Sequence, residues 1–120
     1  EVRRAEVRGA EVRGAEVLAG ETAVSLRTFA ALAPQLSVLV TNDTGPMHVA
    51  AAAGARVIAL FGSTRPELTG PRTDGSICLH RAALPCAGCY RRRCPYQLEC
   101  LEGIPVEAVL NAVLNVVLYR

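Results

Sequence analysis

A short β-branched run at residues 38–40 is broken by Asn42-Asp43-Thr44-Gly45-Pro46, followed by an alanine-rich stretch to Ala53, a glycine at 54 and a second apolar run at 56–61. Few folds accommodate that order. Pro46 stands where a helix tolerates proline, in the first turn, where its missing N–H is no loss. Gly54 provides the left-handed residue that closes such a helix. The two flanking runs are short, apolar and without alternation, so each reads as a strand buried on both faces. Strand, tight turn, helix, glycine and strand within about 25 residues make the βαβ unit of a parallel sheet. The fold class is therefore α/β, a parallel sheet with flanking helices. The bulk-free side chains of residues 50–53 let the helix lie close on the sheet, with its start at the carboxyl edge of the first strand.

The remaining elements follow from spacing. Leu26, Phe29, Ala30, Leu32 and Ala33 recur at helical intervals behind Ser25, a candidate N-cap, and Pro34 marks the exit. A third strand is predicted at 76–79, with Cys78 as a buried core residue. A cysteine-rich loop spans 85–100, and a last amphipathic helix covers 105–118, where Val109, Leu110, Val113, Leu114 and Val117 form one broad apolar face. Of the 120 residues 51% are hydrophobic, 20% charged and 4% aromatic with no Trp, so the core must be built from Ala, Val and Leu. The opening residues 1–16 differ. They repeat a pentad that returns Val2, Val7 and Val12 every five residues, a period of neither a helix stripe nor a strand face. One coil of a pentad solenoid is too little to bury a face. The segment is expected to form an exposed helix or to fray.

Several chemistries are excluded or disfavoured. All 13 basic residues are Arg, so no lysine Schiff base or lysine general base exists in the chain. The opening Glu-Val-Arg-Arg, with charges every few residues after it, lacks the apolar core of a signal peptide. The stretch 106–119 is too short for a membrane span and carries Asn111 and Asn115. A cytoplasmic protein with at most peripheral membrane contact is expected. Five cysteines, an odd number, fit reduced thiols or a metal site better than a secreted disulfide framework.

Two constellations carry chemistry. In open α/β sheets ligands sit beyond the carboxyl ends of the strands, where the free N–H groups of a helix start attract phosphate. Asp43, Thr44, Gly45 and His48 occupy that place. Gly45 lets a ligand approach the backbone, Thr44 adds a hydroxyl, and His48 in the first helical turn can reach a diphosphate oxygen or a sugar hydroxyl. On spacing alone an Asp43 that merely caps the helix, with His48 a surface residue, is an equal reading. The second constellation is Cys86-x2-Cys89-x4-Cys94-x5-Cys100, four thiols sufficient for a tetrahedral zinc or iron site. Free thiols, or thiols mixed with disulfides, stand beside that reading. Arg91-Arg92-Arg93 in the same loop raises an alternative function, a metal-stabilised nucleic-acid-binding or protein-interaction module. The net charge of only +2 and the scarcity of aromatics for base stacking count against nucleic acid as a partner.

The stretch from Thr41-Asn42-Asp43-Thr44-Gly45-Pro46-Met47-His48 to Ala52, then Val57-Ile58-Ala59-Leu60-Phe61-Gly62-Ser63-Thr64 and Gly70-Pro71, resembles glycosyltransferase family 9, the ADP-heptose:lipopolysaccharide heptosyltransferases. Leu18-Ala19-Gly20-Glu21-Thr22 upstream is similar to the family too. So are Cys86-x-x-Cys89, Cys94, Cys100-Leu101 and Ile104-Pro105 downstream. The resemblance covers about residues 17–119 in order and leaves the pentads outside.

That resemblance implies a GT-B architecture of two Rossmann-like domains facing across a cleft. Residues 17–120 would form part of the C-terminal, nucleotide-sugar-binding domain, with 1–16 as a separate low-complexity segment. It also implies an inverting transfer of a heptose from an ADP-sugar to a lipopolysaccharide core or similar glycan, with no cofactor required for the chemistry. Asp43, Thr44, Gly45 and His48 match the donor-binding motif, and Gly62, Ser63 and Thr64 would line the same cleft, with Arg65 and Arg72 as possible further charge at the diphosphate. The family's general base lies in its N-terminal domain and has no counterpart here, so the chain alone is expected to be an inactive part. The cysteines would hold at most a structural zinc or iron.

Overall fold

The computed structural model describes residues 5–7, 10–12 and 24–119. Its centre is a parallel sheet of three strands, β3 (Leu39–Asn42), β4 (Val57–Phe61) and β5 (Ile77–His80), in that spatial order. Leu39 pairs with Val57 and Asn42 with Leu60; on the other side Ile58 pairs with Ile77 and Phe61 with His80. Helix α2 (Gly45–Ala52) connects the first two strands, and a one-turn helix α3 (Pro66–Thr69), not foreseen from spacing, lies between the last two. The α/β parallel architecture expected from the sequence is the one observed.

Each face of the sheet has its own core. On one face Met47, Ala50 and Ala51 of α2 meet Val57, Ala59 and Phe61 of β4, with Phe29 of helix α1 (Leu26–Leu32) packed against them. Ser25 caps α1 by accepting from the Thr28 backbone N–H at 3.1 Å, as its place in the sequence predicts. Pro34 does not end the helical run at once, because residues Ala33–Gln35 continue it as a 3-10 turn. On the opposite face Ile58, Ile77 and Leu79 meet Ala112 and Val116 of the last helix, α5 (Val106–Leu118). Gly54, at φ +92, follows α2 and donates to the Ala51 carbonyl. A side chain there would strain the turn that returns the chain to β4.

Three expectations about burial are corrected by this layout. The strand predicted at 38–40 spans 39–42 instead and lies at an edge of the sheet, and it is not buried on both faces; Val40 is 43% exposed. Cys78 is likewise exposed and not core. The reason is common to both: α2 packs on β3 and β4, whereas α5 packs on β4 and β5. Only β4 is covered twice, and the outer strands each keep one open face. The third correction concerns α5, where the buried residues are Ala112 and Val116, while Leu110 and Leu114 are 53% and 44% exposed. The helix turns its smaller side chains to the sheet, and the Arg56 guanidinium, donating to the Val116 carbonyl, fixes that end of it.

The pentads also depart from expectation. Residues Ala5–Val7 (β1) and Ala10–Val12 (β2) pair as antiparallel strands, Ala5 with Val12 and Val7 with Ala10, in place of an exposed helix. The five-residue period fits because each repeat contributes a three-residue Ala-Glu-Val run, and a two-residue separation is the spacing of the tightest hairpins. The rest of the 1–16 segment lies outside the described residues, as does Leu18-Ala19-Gly20-Glu21-Thr22.

The two-core arrangement predicts unequal mutational costs. Phe61, fully buried, should lose about 3–5 kcal/mol of stability as Phe61→Ala. Leu110→Ala, on the open side of α5, should change stability by no more than about 0.5 kcal/mol. Urea unfolding of both variants checks this; a Leu110 cost as large as the Phe61 cost would contradict the observed roll of α5.

Candidate functional site

The turn between β3 and α2 places Asp43 to His48 beyond the carboxyl end of the sheet. Thr44 is the N-cap of α2, and its side chain makes no capping bond to the helix; its hydroxyl instead donates to the Asn42 carbonyl at 3.4 Å. Asp43 is not the cap either. Its Oδ2 accepts from the Thr69 hydroxyl at 2.8 Å, so the carboxylate joins the turn after β3 to the end of α3. His48 is exposed in the first turn of the helix. A Cβ built on Gly45 meets nothing within 4 Å, so no neighbouring atom requires glycine there. Pro46 has no N–H and the Met47 N–H donates to the Thr44 carbonyl at 3.1 Å; no side chain caps this helix start, which carries the partial positive charge of a helix N-terminus.

Gly62, Ser63 and Thr64 follow β4 directly. A Cβ on Gly62 would fall 2.7 Å from the Leu101 side chain and 3.1 Å from Cys100 Sγ, so this glycine admits the one-turn helix α4 (Glu99–Glu102) against the end of the strand. The Ser63 carbonyl accepts from the Tyr90 N–H at 2.8 Å, and Thr64 is half-buried beside it. Tyr90 in turn accepts at its hydroxyl from the Arg65 N–H at 3.3 Å. The Arg65 side chain lies over Gly88, where a Cβ would come within 2.6 Å of it, and it borders a groove of about 710 Å3 with Pro85, Tyr96 and Glu99. Arg72 is exposed.

Sequence reasoning missed Thr69, Tyr90 and His80. Thr69 is linked to Asp43 only through tertiary structure, and nothing in its spacing marks it. His80, at the end of β5 beside Phe61, buries its Nε2 without a hydrogen-bond partner among the described residues. The imidazole at a strand terminus was the available signal.

Cys86, Cys89, Cys94 and Cys100 all line one small cavity of about 70 Å3 beside Ser63 and Leu101. Cys100 is buried in α4, outside the loop proper. All five thiols are free. Among the described residues, no three His, Cys, Asp or Glu side chains stand in position to hold a metal ion as placed. Arg91, Arg92 and Arg93 are exposed.

The family model described as glycosyltransferase family 9 (heptosyltransferase) matches residues 1–99, and the chain belongs to that family. The match takes in the opening pentads and stops short of α5. Among relatives, the chain is 30% identical over 79 residues to a lipooligosaccharide heptosyltransferase 2 of Campylobacter jejuni, covering 65% of this chain and 25% of that protein. It is 35% identical over 91 residues to a lipopolysaccharide heptosyltransferase 1 of Pseudomonas aeruginosa, covering 66% and 25%. A lipooligosaccharide heptosyltransferase 2 of Haemophilus influenzae is 44% identical over 57 residues, covering 48% and 16%. The matched region thus spans a quarter or less of these relatives. No solved structure matches the chain. None of the described helices is long and apolar enough to cross a membrane.

Cys78 reports the charge of this edge of the sheet. Partial burial raises its pKa first, and the Asp43 and Glu67 carboxylates raise it further. A raised thiol pKa means less thiolate at a given pH and slower alkylation. At about pH 8, Cys78 should react with iodoacetamide several-fold more slowly than the same thiol in an unfolded chain. Asp43→Asn should speed it. Peptide-level mass spectrometry measures both rates, and an Asp43→Asn rate no faster than that of the parent chain would contradict the proximity of the two groups.

Proposed function

We propose that this chain supplies the donor-binding part of an inverting glycosyltransferase that moves a heptose, or a related sugar, from an ADP-sugar to a lipopolysaccharide core or similar glycan in the cytoplasm. The observation that carries this reading is the start of α2. It is uncapped by a side chain, lies beyond the carboxyl edge of a parallel sheet, and has open space at Gly45 and an exposed His48 in its first turn. A diphosphate is the ligand such a place favours, because helix N–H groups and a histidine donor both stabilise negative charge. Membership of the family and the names of the relatives support the heptosyl and lipopolysaccharide part of the reading.

In the reaction an acceptor hydroxyl oxygen bonds to the anomeric carbon of the donor as the bond from that carbon to the diphosphate oxygen breaks. ADP leaves with the electron pair, and the hydroxyl proton passes to a base. Charge grows on the diphosphate as the bond breaks, so donors aimed at it lower the barrier by binding the transition state more strongly than the ground state. The Gly45 N–H and His48 suit that task. Asp43 would repel a diphosphate, and its carboxylate, oriented by Thr69, suits a sugar hydroxyl instead. In this reading Ser63 and Thr64 border the donor from the β4 side, and Gly62 acts by seating α4. The base belongs to the other half of the enzyme.

ADP binding to the chain, measured by calorimetry, tests the site. His48→Ala and Gly45→Ala should each weaken binding about tenfold, a loss of about 1.4 kcal/mol within the range of helix-terminus electrostatics. Neither should disturb the fold, since His48 is exposed and Gly45 has room for a methyl group. Unchanged affinity in both variants would remove the site.

A further inference from the structure

We propose that Cys86, Cys89, Cys94 and Cys100 hold a structural metal centre of the thiophilic class, zinc or iron, that closes the loop between β5 and α4. These four thiols, from a CxxC, a loop and a helix, line a single cavity of about 70 Å3, whereas Cys78 stands apart on β5. Placing four of five cysteines around one cavity in a chain rich in Ala and Val is not what core packing asks for, since a methyl group would fill such space at no redox risk.

The backbone is arranged around sulfur. Cys94 Sγ accepts from the N–H groups of Tyr96 and Leu98, both at 3.3 Å. Two N–H donors aimed at one sulfur are the outer hydrogen bonds that orient a metal-ligating side chain. All three non-glycine residues with positive φ among the described residues, Tyr90, Gln97 and Leu98, fall in this segment. Each is a strained conformation that persists only where something holds it. Gly88, at φ +70 between Cys86 and Cys89, allows the reversal that turns both thiols of the CxxC to one side. Little apolar burial offsets these costs, as Tyr90, Tyr96 and Leu98 are all exposed. A metal would.

As placed, the thiols border the cavity without converging on one ion, so binding draws them inward. The loop has anchors about which to close: the Tyr90 N–H on the Ser63 carbonyl, Arg65 over Gly88, and Cys100 seated against Gly62. Each thiol releases its proton to solvent as its sulfur bonds the metal, so no oxidant or reductant is consumed. With four sulfur ligands there is no open position for substrate, and the centre's role is to set the loop that follows β4.

The test is elemental analysis of the 120-residue chain purified without oxygen or chelator, paired with thiol titration and with cobalt substitution. At least one zinc or iron per chain is expected, the analysis itself distinguishing the two metals. Cys78 should be the one thiol that titrates before chelation, and chelation should expose four more. Cys94→Ser should retain less than about one-tenth of the metal, while Cys78→Ser keeps all of it. Should Cys94→Ser fail to fold, cobalt added to the metal-free parent chain still decides, through the intense visible absorption of a tetrahedral cobalt–thiolate site. No metal as purified, no cobalt spectrum and five equally reactive thiols would overturn the proposal, as would metal lost equally from Cys78→Ser.

Discussion

The contact between the alanines of α2 and the face of β4 governs the rest of the molecule. Ala50 and Ala51 meet Val57 and Ala59 with no side chain larger than valine between them, and Ala55 fills the turn below. Close packing of small residues leaves a helix little freedom to slide or roll, because every neighbouring position is already in contact. The start of α2 is therefore held beyond the end of β3, and with it Thr44, Gly45 and His48. The bulky members of this core, Met47 in the first turn of α2 and Phe61 at the carboxyl end of β4, are both fully buried. A site that must present backbone N–H groups to an anion depends on such rigidity more than on any single polar contact.

Much of this was legible because local and tertiary signals agree. The Asn42-to-Pro46 break, the small residues after it and Gly54 describe one βαβ unit, and the structure has it within two residues of the predicted bounds. Burial was read less well, for a geometric reason. A strand's composition does not say whether it has neighbours on both sides, and the offset of α2 and α5 across the sheet left Val40 and Cys78 open. The same holds for α5, whose Leu110 and Leu114 belong to the apolar stripe but not to the contact. The Asp43–Thr69 hydrogen bond joins residues 26 apart and leaves no periodic trace. For the pentads, period alone misled, since a five-residue repeat can still hold a three-residue strand.

The end of β4 joins the two regions of interest. Gly62 is pressed against Leu101 and Cys100, Ser63 holds Tyr90, and Arg65 lies over Gly88 and precedes the one-turn helix whose Thr69 holds Asp43. A chain of contacts therefore runs from the cysteine cavity to the start of α2.

The most direct measurement is a nitrogen–proton correlation spectrum of the labelled chain titrated with ADP. A diphosphate at the helix start should shift the amide signals of Thr44, Gly45, Met47 and His48 first, followed by those of Ser63 and Thr64. Shifts confined to the groove between Pro85 and Glu99, or absent from residues 43–48 at saturating ADP, would contradict the assignment of the donor to the carboxyl edge of the sheet.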